Sequence, residues 1–184
     1  MIKKTFYKYS EKSTLKKCEL FFNLMNPSPE DILVDAGGGI GEGFNLIWRY
    51  FKKVIVIDIN PKAIEYVNRK FNNVEGIVGD VCNMPLKDKS VDYLFSNAVI
   101  EHIDKNKRFL FANEVRRVTR KGYFITTPNF FFPFEPHYLC PFFQYLPESV
   151  KKIVKKYVSL GHFRKGCYEK IDLLTKKRTA KIFS

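Results

Sequence analysis

Acidic residues and glycines cluster in one short stretch of the sequence, VDAGGGIGEG. Its first acid, Asp35, is followed by Gly37, Gly38, Gly39, Gly41 and Gly43. Glycine has no Cβ atom, so such a loop lets the backbone approach a ligand closely. Carboxylates at Asp35, Glu42 and Asp58 would repel a pyrophosphate and attract a positively charged group. The pattern therefore predicts a loop that binds a cationic ligand.

Two common phosphate-binding patterns do not fit this loop. A P-loop requires lysine and then serine or threonine after its last glycine, whereas Phe44 and Asn45 follow Gly43. The dinucleotide pattern G-x-G-x-x-G requires a third glycine where the sequence has Glu42 in one frame and Phe44 in the other. The sequence thus argues against a P-loop nucleotidase and against a nicotinamide-dependent oxidoreductase.

Two further acids follow predicted strands. Asp58 ends the second predicted strand, 17 residues after Gly41, where it can accept hydrogen bonds from two ribose hydroxyls. Asp80 ends the third predicted strand, where it can accept from an exocyclic amine while the backbone of Val81 contacts the ring. Together with the loop, these positions predict a site for a nucleoside with a cationic substituent.

The elements that must position these residues alternate between short apolar strands and helices. We predict strands at 32–36, 54–58, 74–80, 91–99 and 122–128, and helices at 15–25, 60–71 and 108–118. In the last of these helices, Phe109, Ala112, Val115 and Val118 are expected to face inward. Continuous apolar strands are typical of a parallel sheet covered on both faces, which predicts a Rossmann-like, doubly wound α/β fold.

In these stretches the chain resembles the class I S-adenosylmethionine-dependent methyltransferases, specifically the type 11 methyltransferase domains. The resemblance covers about residues 30 to 130, through ILVDAGGGIGEG, VIVIDIN, GIVGDVCNMPLKDKSVDYLFSNAVIEHI and FITTPN. It implies methyl transfer from S-adenosyl-L-methionine without a metal, leaving S-adenosyl-L-homocysteine. The cofactor-binding residues that it implies are Asp35, Gly37, Gly39 and Gly41 for the methionine portion, Asp58 with Ile59 at the ribose, Asp80 and Val81 at the adenine, and Asn97 on the sulfonium side.

The acceptor site is predicted from the histidines and the aromatic residues that follow the fifth strand. His137 lies where the acceptor pocket of this fold normally opens, with Glu135 as its orienting carboxylate. His102 and His162 are interpreted as structural. The stretch 130–146 is rich in Phe, Tyr and Pro, which favours a capping lid or an apolar pocket for a small-molecule or lipid-linked glycan acceptor. The alternatives are an RNA methyltransferase and a non-catalytic cofactor-binding module.

Positive charge is concentrated at the two ends of the 184-residue chain, whose net charge is +13. Residues 1–20 carry +4, residues 151–184 carry +9, and the charges between them sum to zero. A predicted basic amphipathic helix at 147–158 would allow peripheral contact with an anionic membrane, or contact with nucleic acid. Without an apolar leader or a C-x-x-C pair, we expect a cytoplasmic protein, in contact with a membrane only at its periphery.

We predict a single domain over residues 1–184, divided into a basic helical segment (1–29), a cofactor-binding core (30–129) and an aromatic cap with basic helices (130–184). The family usually adds a final antiparallel strand pair. The C-terminal residues are interpreted instead as a helix with Tyr168, Ile171, Leu174 and Ile182 on one face, in preference to a hairpin turning at Lys176-Lys177. The fifth strand would then form a bare edge, where a second copy of the chain could pair.

Overall fold

The computed structural model describes residues 2–41, 44–131, 134–135, 140–141, 145–147, 149–151 and 173–183. The backbone contacts divide the chain into two compact units. The first comprises Met1–Asn97 with Leu110–Ile125, and the second comprises Ala98–Phe109 with Thr126–Ser184. The assignment of all 184 residues to one domain stays a prediction.

A five-stranded sheet organises the first unit. Its strands are β1 (Ile32–Ala36), β2 (Lys53–Asp58), β3 (Val74–Val78), β4 (Val91–Asn97) and β5 (Thr119–Thr126), in the order β3-β2-β1-β4-β5. Strand β1 pairs in parallel with both β2 and β4, and β2 pairs in parallel with β3. This order confirms the predicted Rossmann-like α/β fold, with its crevice at the carboxyl ends of β1 and β4.

Helices connect these strands and extend the chain at both ends. They are α1 (Ile2–Met25), α2 (Asn45–Tyr50), α3 (Pro61–Lys70), α4 (Arg108–Val118) and α5 (Lys176–Phe183). The first helix is longer than the predicted 15–25, and α2 was not predicted. Two short strands, β6 (Phe134–Glu135) and β7 (Cys140–Pro141), form a separate antiparallel pair. None of the helices in the described part of the chain is long and apolar enough to cross a bilayer.

Aromatic side chains form much of the core in the first unit. Phe21 of α1 is fully buried, and its ring meets those of Phe51, Phe95 and Phe124 edge-on at centroid distances between 5.7 and 6.3 Å. Edge-to-face contacts of this kind add to the free energy gained by burying the rings. The packing of Phe21 thus fixes the C-terminal half of α1 against the sheet.

Local capping explains where α3 begins and why the prediction for it holds. The side chain of Asn60 accepts a hydrogen bond of 3.1 Å from the backbone nitrogen of Lys62, and Pro61 occupies the first turn. Both features are typical of a helix N-terminus. Ile64 and Val67 are buried as predicted, so the hydrophobic spacing gave the correct face.

The predicted inward face of α4 is wrong at Phe109, which is 62% exposed. The buried face consists of Phe111 with Ala112, Val115 and Val118. Since Phe109 and Phe111 are both large and apolar, the hydrophobic spacing alone did not show which of the two is buried. The fifth strand also begins earlier than predicted, at Thr119 rather than at residue 122, because α4 ends directly in the strand.

The C-terminal prediction is confirmed for α5 and wrong at Leu174. Leu174 forms an isolated parallel bridge with Asn129, and its carbonyl accepts a hydrogen bond of 3.1 Å from the nitrogen of Phe130. Helix α5 begins at Lys176, and the Thr175 hydroxyl accepts from the nitrogen of Arg178 at 3.3 Å. This N-cap excludes a hairpin turn at Lys176-Lys177. Tyr168 and Ile171 lie outside the described residues.

Candidate functional site

The glycine loop leaves the carboxyl end of β1 in a conformation that requires glycine. Gly37, Gly39 and Gly41 have φ angles of 78°, 53° and 74°. A Cβ atom on Gly41 would lie 2.5 Å from the ring of Trp48, so a side chain there meets both strain and a clash. The loop backbone at Gly41 therefore packs directly against the Trp48 ring of α2. Glu42 lies outside the described residues.

Asp35 lies beneath this loop, and only 2% of its surface is exposed. Its Oδ2 accepts a hydrogen bond of 2.7 Å from the indole nitrogen of Trp48. A Cβ atom on Gly38 would stand 2.8 Å from the Asp35 carboxyl carbon, so the loop backbone closes directly over the acid. Burial raises the pKa of Asp35 to about 7; the Trp48 hydrogen bond opposes this shift, and the charge of Asp58 adds to it.

Asp58 connects the end of β2 to the glycine loop. Its Oδ2 accepts from the backbone nitrogen of Gly39 at 2.9 Å, and its Oδ1 accepts from that of Asn60 at 2.8 Å. A carboxylate has about four acceptor positions, so these two bonds leave capacity for ligand hydroxyls. Ile59, which follows it, is 76% exposed, so an apolar side chain lies on the surface beside this acid.

The segment after β3 lies next to Asp58. Its first residue, Gly79, donates from its backbone nitrogen to the Asp58 carbonyl at 3.0 Å. Asp80 is exposed, and its Oδ1 accepts from the nitrogen of Cys82 at 2.8 Å, whereas Val81 is buried. The structure therefore brings the predicted loop, ribose and adenine residues together at the carboxyl ends of β1, β2 and β3.

An ion-pair cluster on α4 holds residues 84–88, which follow Asp80 and Val81 in the chain. Arg117 donates to the carbonyl oxygens of Met84 and Leu86 at 3.0 and 2.6 Å, and to Asp88 at 2.8 Å. Glu114 accepts from the nitrogen of Met84 at 2.6 Å and from Arg117, which lowers the pKa of Glu114. The sequence offered no signal for this arrangement, since charges on an amphipathic helix usually face solvent.

Asn97 ends β4 and meets a residue from the N-terminal helix. The hydroxyl of Ser96 donates to the Ala36 carbonyl at 2.8 Å, which places the end of β4 beside the start of the glycine loop. The ammonium nitrogen of Lys17 donates to the Asn97 side-chain oxygen at 2.8 Å and lies 5.9 Å from the centre of the Phe44 ring. Lys17 was not predicted as a site residue, because 80 residues separate it from Asn97 in sequence.

The acceptor-site prediction is only partly within the described residues. Glu135 lies in β6, where its backbone pairs with that of Cys140. His137 and His162 lie outside the described residues, and His102 is exposed. The acceptor roles of His137 and Glu135 therefore stay predictions. Within the described ranges, no group of three or more His, Cys, Asp or Glu residues is arranged to hold a metal ion.

A model of the methyltransferase domain of type 11 matches residues 34–126 of this chain. That match spans half of the chain and contains every residue of the predicted cofactor site. The protein therefore belongs to the type 11 methyltransferase domain family, as the sequence resemblance implied.

Named relatives agree with this family. A probable S-adenosylmethionine-dependent methyltransferase of Mycobacterium tuberculosis is 33% identical over 99 residues, which are 53% of this chain and 35% of that protein. A malonyl-[acyl-carrier protein] O-methyltransferase of Yersinia pestis is 34% identical over 92 residues, which are 50% of this chain and 33% of the relative. The matches thus span about a third of these relatives, and they support S-adenosylmethionine as the cofactor.

The fold of this protein is also similar to that of a solved methyltransferase structure. It is geranyl diphosphate C-methyltransferase from Streptomyces coelicolor A3(2), in complex with Mg²⁺, geranyl diphosphate and S-adenosyl-L-homocysteine. The two folds superpose with a TM-score of 0.61 at 18% identity, over 89% of this chain and 57% of the other. At this identity, the comparison shows a shared fold.

Proposed function

We propose that this protein transfers a methyl group from S-adenosylmethionine to an acceptor. The observation that carries the proposal is the position of Asp58, whose carboxylate holds Gly39 of the loop and Asn60 of the next helix. This places a negatively charged acceptor of hydrogen bonds directly beside a loop without Cβ atoms. Such a site fits a ribose whose substituent is cationic and excludes a pyrophosphate by charge.

The residues of this site divide the binding task among them. Gly37, Gly39 and Gly41 would hold the methionine portion together with Asp35, which lies beneath them. Asp58 would bind the ribose hydroxyls, with Ile59 exposed at its side. The adenine would meet the side chain of Asp80 and the backbone of Val81, and the sulfonium side would face Asn97.

When bound, the cofactor supplies a methyl group on a positively charged sulfur atom, which is transferred by in-line displacement. Positioning of the acceptor therefore provides much of the rate. A base is needed only where the acceptor must lose a proton. His137, oriented by Glu135, is our candidate for that base. In a His137→Ala variant, we expect unchanged cofactor affinity and reduced turnover; full turnover would remove His137 from the mechanism.

The acceptor in our proposal is a small molecule or a lipid-linked glycan. The aromatic character of residues 130–146 supports an apolar acceptor site. The malonyl-[acyl-carrier protein] relatives, which match about half of this chain, also indicate a small acyl acceptor as one form that this class can take. The alternatives are methyl transfer to RNA and a non-catalytic role. A screen of small-molecule, glycan and RNA acceptors with radiolabelled cofactor would distinguish these possibilities, since a non-catalytic protein labels none of them.

The basic C-terminal part of the chain supports peripheral contact with an anionic membrane. Helix α5 has the sequence KKRTAKIF, with Lys176, Lys177, Arg178 and Lys181 exposed and no acidic residue. Basic helices of this kind bind anionic lipid, and the binding weakens as salt increases. We expect co-sedimentation with anionic vesicles at low salt. Its absence there would exclude this contact.

A pair of variants tests the function through the cofactor site. Asp58→Ala removes both the ribose acceptor and the anchor of the loop, so we expect the affinity for S-adenosylhomocysteine to fall by at least about tenfold. Glu75→Ala on the neighbouring β3 removes an exposed carboxylate that lies 3.6 Å from Lys53, and it should leave the affinity unchanged. Equal affinities in the two variants would contradict the assignment of Asp58.

A further inference from the structure

Three aromatic side chains form a cluster on the second unit. The ring of Phe130 meets those of Phe131 and Tyr145 edge-on, at centroid distances of 5.5 and 5.2 Å. Phe131 is 66% exposed and Tyr145 is 48% exposed, so two large rings of this aromatic cluster face water. Single apolar residues on a surface are common, whereas adjoining ones are typical of a surface that binds a partner or a membrane.

Local hydrogen bonds constrain the aromatic cluster. The side-chain oxygen of Asn129 accepts from the backbone nitrogen of Phe131 at 3.1 Å. The Tyr145 hydroxyl donates to the carbonyl of Phe130 at 3.3 Å. Because the rings are already held in place, burying them against a partner costs little conformational entropy.

The basic helix α5 begins beside this cluster. Asn129 and Leu174 form a parallel bridge, and the nitrogen of Phe130 donates to the Leu174 carbonyl at 3.1 Å. Phe131 and Lys176 therefore each lie two residues beyond the bridge, in neighbouring segments. Helix α5 contains no acidic residue, so positive charge adjoins the exposed rings. The exposed cations of its first turn are Lys176, Lys177 and Arg178.

Exposed rings beside a basic helix match the interface of an anionic bilayer. Aromatic side chains favour the boundary between headgroups and acyl chains, and Tyr does so with its hydroxyl in the polar layer. Basic residues next to them are attracted to anionic headgroups. A single-stranded nucleic acid instead needs separate ring faces for successive bases, whereas these three rings contact one another. The pattern therefore favours a membrane over a nucleic acid.

We propose that Phe131, Tyr145 and the first turn of α5 form a surface that docks on an anionic membrane, with the two rings at the apolar boundary and the cations at the headgroups. This inference rests on the membrane contact in the proposed function, which used the charge of α5 alone, and adds insertion of the rings. Phe130 follows the end of β5 by four residues, a span of at most about 14 Å. Docking would thus hold the end of β5 close to the bilayer, which favours an acceptor carried by a lipid.

Tryptophan fluorescence measures the insertion of the rings. The chain has one tryptophan, Trp48, and it is fully buried, so Phe131→Trp adds one exposed reporter. Phe109→Trp is the matched control, because Phe109 is 62% exposed and lies on α4 of the same unit. The vesicles contain phosphatidylglycerol and phosphatidylcholine with acyl chains brominated near the headgroup. We expect these vesicles to quench the added fluorescence of Phe131→Trp and to leave that of Phe109→Trp unchanged.

Co-sedimentation with the same vesicles, unbrominated, separates the apolar contribution from the charged one. Phe131→Ser should weaken vesicle binding by about tenfold, and Phe109→Ser should match wild type. Replacing the three cations of the first turn of α5 with Gln should weaken it by at least about tenfold at low salt. The matched control removes the same charge from exposed lysines of the first unit and should keep most of the affinity. Its substitutions are Lys52→Gln, Lys62→Gln and Lys87→Gln.

The outcomes distinguish this inference from the proposed methyl transfer. Vesicles that bind Phe131→Trp without quenching its added fluorescence would overturn the insertion, and so would equal vesicle affinities of Phe131→Ser and Phe109→Ser. If wild type binds a single-stranded oligonucleotide and no anionic vesicle at low salt, the surface serves nucleic acid and the proposal is wrong. Calorimetric titration with S-adenosylhomocysteine needs no vesicles. Its failure would contradict the methyl transfer, and the vesicle experiments would still decide the docking.

Discussion

The indole nitrogen of Trp48 donates a hydrogen bond of 2.7 Å to Oδ2 of Asp35, and both side chains are buried. The same indole ring fills the space beside Gly41, where a Cβ atom would lie 2.5 Å from it. The glycine loop is therefore supported from below by one aromatic residue that both satisfies the buried acid and shapes the turn. We therefore expect the geometry of the proposed cofactor site to depend on this pair.

Replacing Trp48 with Phe removes the hydrogen bond between Trp48 and Asp35. The ring remains apolar, but Asp35 loses its hydrogen-bond donor inside the core. An unsatisfied buried acceptor costs about 1–3 kcal/mol, and the smaller ring also leaves a cavity beside Gly41, so the free energy of unfolding should fall by at least that amount. Affinity for S-adenosylhomocysteine should fall as well, because the loop loses its support. Chemical denaturation and calorimetry measure the two effects.

Tyr50→Phe provides the control on the same helix. It removes the hydrogen bond from the Tyr50 hydroxyl to the Pro27 carbonyl, 2.8 Å long, and leaves the loop untouched. This variant should lose some stability and keep its cofactor affinity. A Trp48→Phe variant with wild-type affinity for S-adenosylhomocysteine would show that the loop does not need the pair.

The raised pKa of Asp35 makes stability depend on pH. The carboxyl has a pKa of about 7 in the folded protein, against about 4 in the unfolded chain. Between these values the folded state holds a proton that the unfolded state has lost, so this group's contribution to stability falls as the pH rises. Its stabilising effect is complete below about pH 4 and is lost as the pH passes through about 7.

Asp35→Asn isolates this contribution, since the amide oxygen can still accept from Trp48. Relative to wild type, the variant should gain stability between pH 5 and pH 8. Urea unfolding of both ligand-free proteins at these two pH values measures the difference. A difference that stays constant with pH would mean that Asp35 is ionised in the folded protein throughout this range.

Two alanine substitutions in the loop should differ in severity. Gly39→Ala introduces backbone strain at a φ of 53°, but its Cβ atom would have room, 3.9 Å from the Asp58 carboxylate. Gly41→Ala adds the clash with Trp48 to a similar strain. We expect a loss of about 1–2 kcal/mol in stability for the first and more for the second. Thermal unfolding of the two variants should rank them in this order; the reverse order would contradict the packing of Trp48 under Gly41.

The ion-pair cluster on α4 predicts an effect of Arg117 on cofactor affinity. Arg117→Leu removes the donors that hold the carbonyls of Met84 and Leu86, so the segment carrying Asp80 and Val81 should become less ordered. We expect a severalfold loss of affinity for S-adenosylhomocysteine, a modest effect because Arg117 is partly exposed. Arg116→Leu, whose side chain bonds only Asn113 among the contacts resolved for it, is the control. Equal affinities in both variants would exclude this support role.

The central sheet could be predicted because its strands are continuous apolar runs, whereas the segments between them are rich in polar and charged residues. The positions of the candidate cofactor residues could be predicted for the same reason, since Asp58 and Asp80 each follow such a strand and parallel strands bring their ends to one edge. The structure places both residues at that edge. Their roles in binding, and the cationic ligand that the glycine spacing indicates, stay predictions.

Contacts between distant segments could not be predicted. Lys17 and Asn97 lie 80 residues apart, and no periodicity links them. Helix α2 has only six residues, too few for a hydrophobic pattern to identify it, so the role of Trp48 was missed. The face of α4 was misassigned at Phe109 because adjacent apolar residues compete for the buried position. Tertiary packing decided each of these cases.

The most direct test of the central claim is a calorimetric titration of the purified protein with S-adenosylmethionine, S-adenosylhomocysteine and NADH in parallel. We expect the first two to bind with dissociation constants on the order of micromolar, and NADH not to bind. This result would support S-adenosylmethionine as the cofactor, and loss of the affinity in Asp58→Ala would then locate the site. Binding of NADH, or binding of none of the three, would contradict the account.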